Sequence, residues 1–469
     1  MKSYLAVDIG ASNGRHILGK LNDGRLELKE IHRFENNFIE KNGHFCWEIE
    51  TLFQNVLTGL RNCKITGFEP VSLGIDSWGV DYVLLNADNE ILGEAYSYRD
   101  NRTHGMDVLL EKTFSFEALY GRTGIAKQPF NTIYQLMAHF SEFPEHKEQA
   151  GSFLMIPDYL AFRLTGRKAN EYTEASTTAM LNAVERQWDR TVLKAAGIPL
   201  GLFEQELNMP GNILGDLSPE IRRKVGFNIS VLQVTTHDTA SAFVSVPSVD
   251  ENAVILSSGT WSLLGVENEN PLCDKNSRKA GFTNEGGYQG RYRYLQNIMG
   301  LWILQCIHRE HGKRYSFADM ADMAAGALSY DGRVNVNDNR FLAPGNMMEE
   351  IKAALAEGGY PAPVDLPQLL ACVYHSLVDC YQKAIKNLEV LCDRKFTSIN
   401  IVGGGSKNEL LNQMTADATG LPVYAGPTEG TALGNLLIQM IVAGEFKDLA
   451  EARKVVRESF KIKKYEPKI

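Results

Sequence analysis

Apolar positions along this chain fall into two periods. Residues 4–9 (YLAVDI), 72–75 (SLGI), 231–235 (VLQVT), 253–257 (AVILS) and 398–402 (SINIV) are short apolar runs bounded by glycine or polar clusters, and they predict strands. Longer stretches at helical spacing, residues 366–391 and 408–419 among them, lie between such runs and predict helices. Strands that alternate with helices imply α/β layers. Residues 400–420 show the alternation most clearly. There a buried strand leads into Gly403, Gly404 and Gly405, and Ser406-Lys407-Asn408-Glu409 reads as a capping box that opens a helix.

Two segments repeat the same opening pattern. Residues 4–9 form a strand, Gly10-Ala11-Ser12-Asn13-Gly14 a tight turn, and residues 15–21 a second strand. Residues 253–257, Ser258-Gly259-Thr260 and residues 261–266 repeat that strand, turn and strand. Between them Val246-Pro247-Ser248-Val249-Asp250-Glu251 interrupts a helix-like stretch. The pattern predicts a duplicated domain with a boundary near Pro247, giving domains 1–247 and 248–469, although strand, glycine turn, strand is also a common local arrangement.

Composition narrows the function classes. With 469 residues, 44% apolar and 22% charged, the chain matches a folded soluble protein with more than one core. A net charge of -9 argues against a nucleic-acid partner, which needs clustered Lys and Arg. It does not argue against ATP, whose phosphates are received locally by backbone N–H groups, a few cations and Mg²⁺. The seven cysteines form no C-x-x-C pair and read as free thiols. The start Met1-Lys2-Ser3-Tyr4-Leu5-Ala6-Val7-Asp8 reaches an acid before any signal-like apolar region, and no later run would span a membrane. The expectation is a cytoplasmic protein, a monomer or weak homodimer, without membrane partners.

Candidate chemistry gathers at the turns and strand ends. The first turn offers successive N–H groups with little side-chain bulk, which is either an anion nest for phosphate or an ordinary hairpin. Asp8 beside it suits a hydrated Mg²⁺, and Arg15 suits phosphate. Ser258-Gly259-Thr260 offers a matching set of donors. The glycines at 403–405 allow close approach by a flat ligand, but no Walker A sequence and no protein-kinase signature is present. Asp238, in Val234-Thr235-Thr236-His237-Asp238-Thr239-Ala240, sits where a strand gives way to a helix. It is either a helix cap or a base for an acceptor hydroxyl. Trp78, in Gly74-Ile75-Asp76-Ser77-Trp78-Gly79-Val80-Asp81, could lay an apolar face beside a sugar. His308 and His311 lack the spacing of a zinc helix and read as surface or satisfied side chains.

These segments together resemble the FGGY family of carbohydrate kinases, within the actin and sugar-kinase superfamily. The resemblance covers nearly the whole chain. It is carried by residues 7–15, 31–34, 74–81, 98–103, 129–132, 157–159, 237–242, 256–263, 284–287, 297–302 and 401–412. It implies two actin-like, ribonuclease-H-like domains with an interdomain cleft that closes over ATP and Mg²⁺. The implied reaction transfers the γ-phosphoryl group to the 1-hydroxyl of a deoxyketose, L-rhamnulose or an epimer such as L-fuculose. The family's base falls on Asp238. Its nucleotide contacts fall on Ala11, Ser12, Asn13, Gly14, Arg15, Thr260, Gln305, Gly403, Gly404 and Gly405, and its sugar contacts on Gly79, His237, Thr239 and Asn297. Asn131-Thr132-Ile133-Tyr134-Gln135-Leu136 departs from the family by lacking the Lys and Trp of its first signature. A non-catalytic, actin-like ATP switch is the reading from another class.

Overall fold

The computed structural model describes residues 2–468. It forms two compact units that do not follow the chain break near Pro247 throughout. Glu267–Tyr294 and Thr431–Ser459 pack with the first unit, and Val246–Val266, Leu295–Gly430 and residues after 459 make the second.

The first unit is built on six strands: β1 (Tyr4–Ile9), β2 (Asn13–Asn22), β3 (Arg25–Glu35), β4 (Ser72–Ser77), β5 (Asn212–Asp216) and β6 (Ser230–Gln233). Their order in the sheet is β5-β6-β4-β1-β2-β3. β1 is fully buried and runs parallel to β4, which is buried as well; β1 is apolar apart from Asp8, whereas β4 also buries Ser72, Asp76 and Ser77. Helix Ile49–Ile65 carries buried Leu52, Phe53, Val56, Leu57, Leu60 and Cys63 at three- and four-residue spacing. These side chains share one core with Leu5, Val7, Leu73 and Val231 of the sheet. Each such apolar side chain taken out of water contributes about 1.5–3 kcal/mol.

The second unit's strands are β7 (Ala253–Ser258), β8 (Trp261–Asn268), β9 (Tyr292–Met299), β10 (Ser398–Val402), β11 (Val423–Ala425) and β12 (Lys463–Tyr465); β8 and β9 run on into the first unit. They are ordered β9-β8-β7-β10-β11-β12. β7 is antiparallel to β8 and parallel to β10, β10 is parallel to β11, and β12 returns antiparallel. In the first unit β1 stands to β2 and β4, β4 to β6 and β6 to β5 in those same relations. The repeat seen in the two hairpins therefore extends to six strands of each sheet; the second sheet carries Thr283–Gly286 beyond β9 as a seventh. Helix Leu366–Leu391 covers the range its spacing predicts. It opens on Asp365, whose side chain accepts from the Gln368 N–H, with a proline in its first turn.

Two local expectations change. Asn13 and Gly14 belong to β2, because the Gly10 N–H already closes the turn on the Asn13 carbonyl at 2.8 Å. Ser406 does not cap a helix. Gly404–Lys407 forms a 3₁₀ turn, the Ser406 hydroxyl donates to the Gly403 carbonyl, and Asn408 caps Glu409–Thr419 by accepting from the Leu411 N–H. The seven cysteines are free thiols.

Candidate functional site

The first unit concentrates acids at the carboxyl ends of three neighbouring strands. Asp8 on β1 lies directly opposite Asp76 on β4 in the parallel register, and opposite Arg15 on β2 in the antiparallel one. Arg15 Nη2 donates to Asp8 Oδ2 at 2.7 Å. Asp76 is fully buried. Its Oδ2 accepts from Asn435 Nδ2 at 2.5 Å, and its Oδ1 has no hydrogen-bond partner among the described residues. Burial first, then the Asp8 charge, holds the Asp76 carboxyl well above the ordinary range, with Asp238 adding to the effect. No three His, Cys, Asp or Glu side chains among the described residues converge to hold a metal ion directly. The Asp8 carboxylate, with Asp76 beside it across the strands, still suits a hydrated cation held through water.

Next along the sheet, Ser77 bridges to His237, and helix Asp238–Val244 begins immediately after. The cap position is His237, without a side-chain cap bond, so the Asp238 carboxylate is not spent on the helix end. Its Oδ1 accepts from the Thr239 hydroxyl at 3.0 Å, lies 3.5 Å from His237 Nε2, and the side chain keeps 31% exposure. This is a reachable carboxylate on a rigid element.

The loop that bears it is pinned from behind by buried acids. Glu171 Oε2 accepts from the Thr236 N–H, the Thr236 hydroxyl and the Thr173 hydroxyl, and the Thr173 hydroxyl oxygen accepts the His237 N–H. Asp158 accepts from the Glu171 N–H and from Gln233 Nε2. Burial pushes Asp158 up to about 8 and raises Glu171 as well. Glu174 is fully buried, and neither of its carboxyl oxygens has a hydrogen-bond partner among the described residues.

Gly79 faces this loop. A Cβ placed there would meet Thr177 at 3.1 Å and His237 Nε2 at 3.3 Å. The next residue, Val80, has φ of +70°, a strained conformation for a β-branched side chain. Three bonds hold it there: its N–H donates to the Thr177 hydroxyl, and its carbonyl accepts from the Thr132 hydroxyl and Gln135 Nε2. The segment that departs from the family signature thus clamps the Gly79 turn. Trp78 is not a sugar platform. It is 6% exposed, its ring centroid lies 4.3 Å from that of Trp47 at a tilt of 42°, and both indole N–H groups donate to Asp81 Oδ2.

At the first hairpin Ser12 and Asn13 are exposed and Ala11 half-buried, whereas Gly14 is buried against Phe34, whose ring would lie 2.1 Å from any added Cβ. In the second unit Gly259 and Thr260 accept through their carbonyls from the Leu301 and Trp302 N–H groups, which ties the second turn to the helix bearing Gln305. Gly403 (φ +86°) and Gly405 lie against Ser258, where added Cβ atoms would sit 2.9 Å from its carbonyl oxygen and 1.9 Å from its hydroxyl. Gly404 alone of the three faces open space. Asn297 Oδ1 is buried without a hydrogen-bond partner among the described residues.

Sequence reasoning singled out Asp8, Arg15, Gly79, His237, Asp238 and Thr239, and the first unit carries them all. It missed the residues behind them: Asp76, Glu171, Glu174, Glu285, Arg293 and Asn435. Arg293 is fully buried, with Nη2 2.9 Å from His237 Nδ1 and Nη1 3.0 Å from Glu285 Oε2. Burial raises the Glu285 carboxyl, but Arg293 and His237 outweigh it and hold it below its ordinary value.

The chain has clear relatives. The profile of the FGGY family of carbohydrate kinases, N-terminal domain, matches residues 3–245, and that of the C-terminal domain matches residues 254–443. The sequence is 48% identical to a rhamnulokinase of Halalkalibacterium halodurans over 99% of both chains. It is 43% identical to a rhamnulokinase of Bacillus subtilis over 99% of this chain and 95% of that one. A ligand-bound xylulose kinase from Lactobacillus acidophilus aligns with a TM-score of 0.82 at 18% identity, covering 100% of this chain and 94% of that one. A Plasmodium falciparum glycerol kinase with ADP aligns at 0.79 and 14% identity, with the same coverage. At such identities the structural likeness is one of fold.

Proposed function

Because the chain belongs to the FGGY family of carbohydrate kinases, we propose that it transfers the γ-phosphoryl group of ATP to the 1-hydroxyl of L-rhamnulose. The products are ADP and L-rhamnulose 1-phosphate, and the setting is cytoplasmic rhamnose breakdown. The observation that carries the reading is the partly exposed Asp238 carboxylate, not engaged in capping its helix, beside His237 and near Gly79, in a chain similar end to end to proteins named rhamnulokinase.

Asp238 accepts the proton of the attacking hydroxyl, and the Thr239 hydroxyl steadies its Oδ1. Gly79, His237, Thr239 and Asn297 orient the sugar. Ala11, Ser12, Asn13, Gly14, Arg15, Thr260, Gln305 and the 403–405 glycines receive the nucleotide. Mg²⁺, when bound, supplies charge neutralisation on the phosphates, with Asp8 as its neighbour through water. The division assigned to the chain gives residues 1–247 the sugar, the phosphates and the base, and residues 248–469 the nucleotide.

A coupled ADP-release assay with Mg-ATP and L-rhamnulose, L-fuculose, L-ribulose, L-xylulose and glycerol tests the substrate. Preference for L-rhamnulose is expected; preference for another sugar would move the specificity, and silence would sink the reading. Asp238→Asn should lower turnover by about 10²–10⁴-fold while ATP still binds. Turnover above about a tenth of wild type would remove Asp238 from the role of base.

A further inference from the structure

His237 has two ring nitrogens in different settings. Nδ1 lies 2.9 Å from Arg293 Nη2, and Nε2 lies on the side of Gly79 and 3.5 Å from Asp238 Oδ1. A guanidinium carries only donors and does not give up its proton in proteins. A contact of 2.9 Å is therefore a hydrogen bond only if Nδ1 is the acceptor. An imidazolium, or the tautomer with hydrogen on Nδ1, would set two N–H groups head to head there.

The one competing arrangement is weaker. Glu285 Oε2 is 3.4 Å from His237 Nδ1 and would attract a proton on it. The same oxygen is 3.0 Å from Arg293 Nη1, so the carboxylate is already matched to the guanidinium charge. Arg293 Nε in turn donates to the Gly286 carbonyl at 2.8 Å, which fixes the plane of the fork. Arg293 is fully buried and Glu285 nearly so. A buried ion pair is poor evidence for stability, since desolvating both charges costs several kcal/mol. Its geometry gives it a positional role instead.

We propose that Arg293 is a positioning residue that fixes His237 as the neutral tautomer protonated at Nε2 and aims that N–H at the acceptor hydroxyl of the sugar beside Asp238. The inference rests on the reading of His237 and Asp238 as sugar contact and base. With the N–H fixed on Nε2, that nitrogen donates to the oxygen of the hydroxyl while Asp238 accepts its proton, so the two groups serve opposite ends of one O–H.

The test begins on the unmodified chain. Histidine labelled with ¹⁵N is incorporated, and long-range ¹H–¹⁵N spectra are recorded near pH 7.5; the His237 signals are those that vanish in His237→Gln. A pyridine-type Nδ1 with a pyrrole-type Nε2 is expected. The reverse pattern, or two pyrrole-type nitrogens, overturns the proposal. Arg293→Met combined with Glu285→Gln removes the pair without stranding a charge. It should raise the sugar KM by about tenfold, as one well-aligned hydrogen bond is lost, and leave the ATP KM unmoved. In Arg293→Ala, added guanidinium ion should restore part of the sugar affinity. Unchanged sugar kinetics in the paired variant, once circular dichroism shows it folded, also overturns the proposal. Should the variants not fold, the wild-type spectrum still decides. Failure of the base reading looks different: Asp238→Asn would keep its turnover while the His237 spectrum stayed as expected.

Discussion

Replacing Gly79 by alanine puts one methyl group between two side chains that have little room to yield. The new Cβ would lie 3.1 Å from Thr177 Cγ2, 3.2 Å from Thr177 Oγ1 and 3.3 Å from His237 Nε2, each slightly inside ordinary contact. Thr177 cannot rotate away freely, since its hydroxyl donates to the Glu174 carbonyl and accepts the Val80 N–H. His237 is held by its own N–H on Thr173 and by Arg293. Displacements of a few tenths of an ångström then cost about 1 kcal/mol, the low end for overpacking, or a melting shift of a few degrees at most. The functional cost is larger, because the methyl covers the Nε2–H proposed to meet the sugar. Losing that bond is worth about 1–2 kcal/mol, which raises the sugar KM by about 5–30-fold. ADP-release kinetics with sugar varied at saturating ATP, and the reverse, separate the two substrates. An unchanged sugar KM, or an equal rise in the ATP KM, would refute the placement of the sugar against Gly79.

Two further outcomes follow from buried groups. Burial, then the neighbouring Asp158, Asp238 and Glu171 charges, holds the Glu174 carboxyl well above its ordinary value, so the folded chain keeps a proton that the unfolded chain has lost. That stability is complete below the unfolded value near 4.5 and is lost as pH rises toward the folded one; thermal melts from pH 5 to 9 should show Glu174→Gln gaining steadily on wild type, and a constant gap would contradict the assignment. In the second unit a Cβ at Gly405 would sit 1.9 Å from Ser258 Oγ and 2.5 Å from Ser258 Cβ. Gly405→Ala should impair folding or binding of a fluorescent ATP analogue, with Ser258→Gly restoring part of the loss, and failure of the second change to help would point away from that contact.

What was legible in the sequence followed from local rules. Strand β10 and helix Leu366–Leu391 were readable because period and boundary residues agree there. Asp238 is ambiguous in sequence because an acid after a strand commonly caps the next helix; the structure puts His237 at the cap and leaves the Asp238 side chain off the helix end. Trp78 was misread since a tryptophan among glycines and polar residues looks ligand-facing, and nothing local says that Asp81 will accept both its indole N–H and that of Trp47, a residue 34 positions from Asp81. Val80 carries no signal at all, because its positive φ is imposed by Thr132, Gln135 and Thr177 against its own preference. Arg293 was hidden for a similar reason. Its partner His237 is 56 residues away, and a lone arginine in a strand reads as a surface residue.

The two sheets show one set of strand relations carrying different residues at equivalent positions. In each, the last pairs of the opening hairpin fix equivalent positions: Asp8 with Arg15 on one side and Asp76 on the other, against Ser257 with Leu263 and Val402. The row of cation, acid and acid in the first unit becomes aliphatic, hydroxyl and aliphatic in the second. An acid row repels itself, and the first unit meets that cost with Arg15 on Asp8 and Asn435 on Asp76, while Asp76 Oδ1 has no hydrogen-bond partner among the described residues. Such a row suits cations and proton transfer. The second unit puts glycines where its parallel strand ends, at Gly403 to Gly405, and brings them against Ser258. Backbone held that closely cannot supply a base, yet it can lie flat along an uncharged ring. The shared strand relations of the two sheets, with different residues at their strand ends, are the physical support for the proposal that proton chemistry belongs to the first unit and the nucleotide's base to the second.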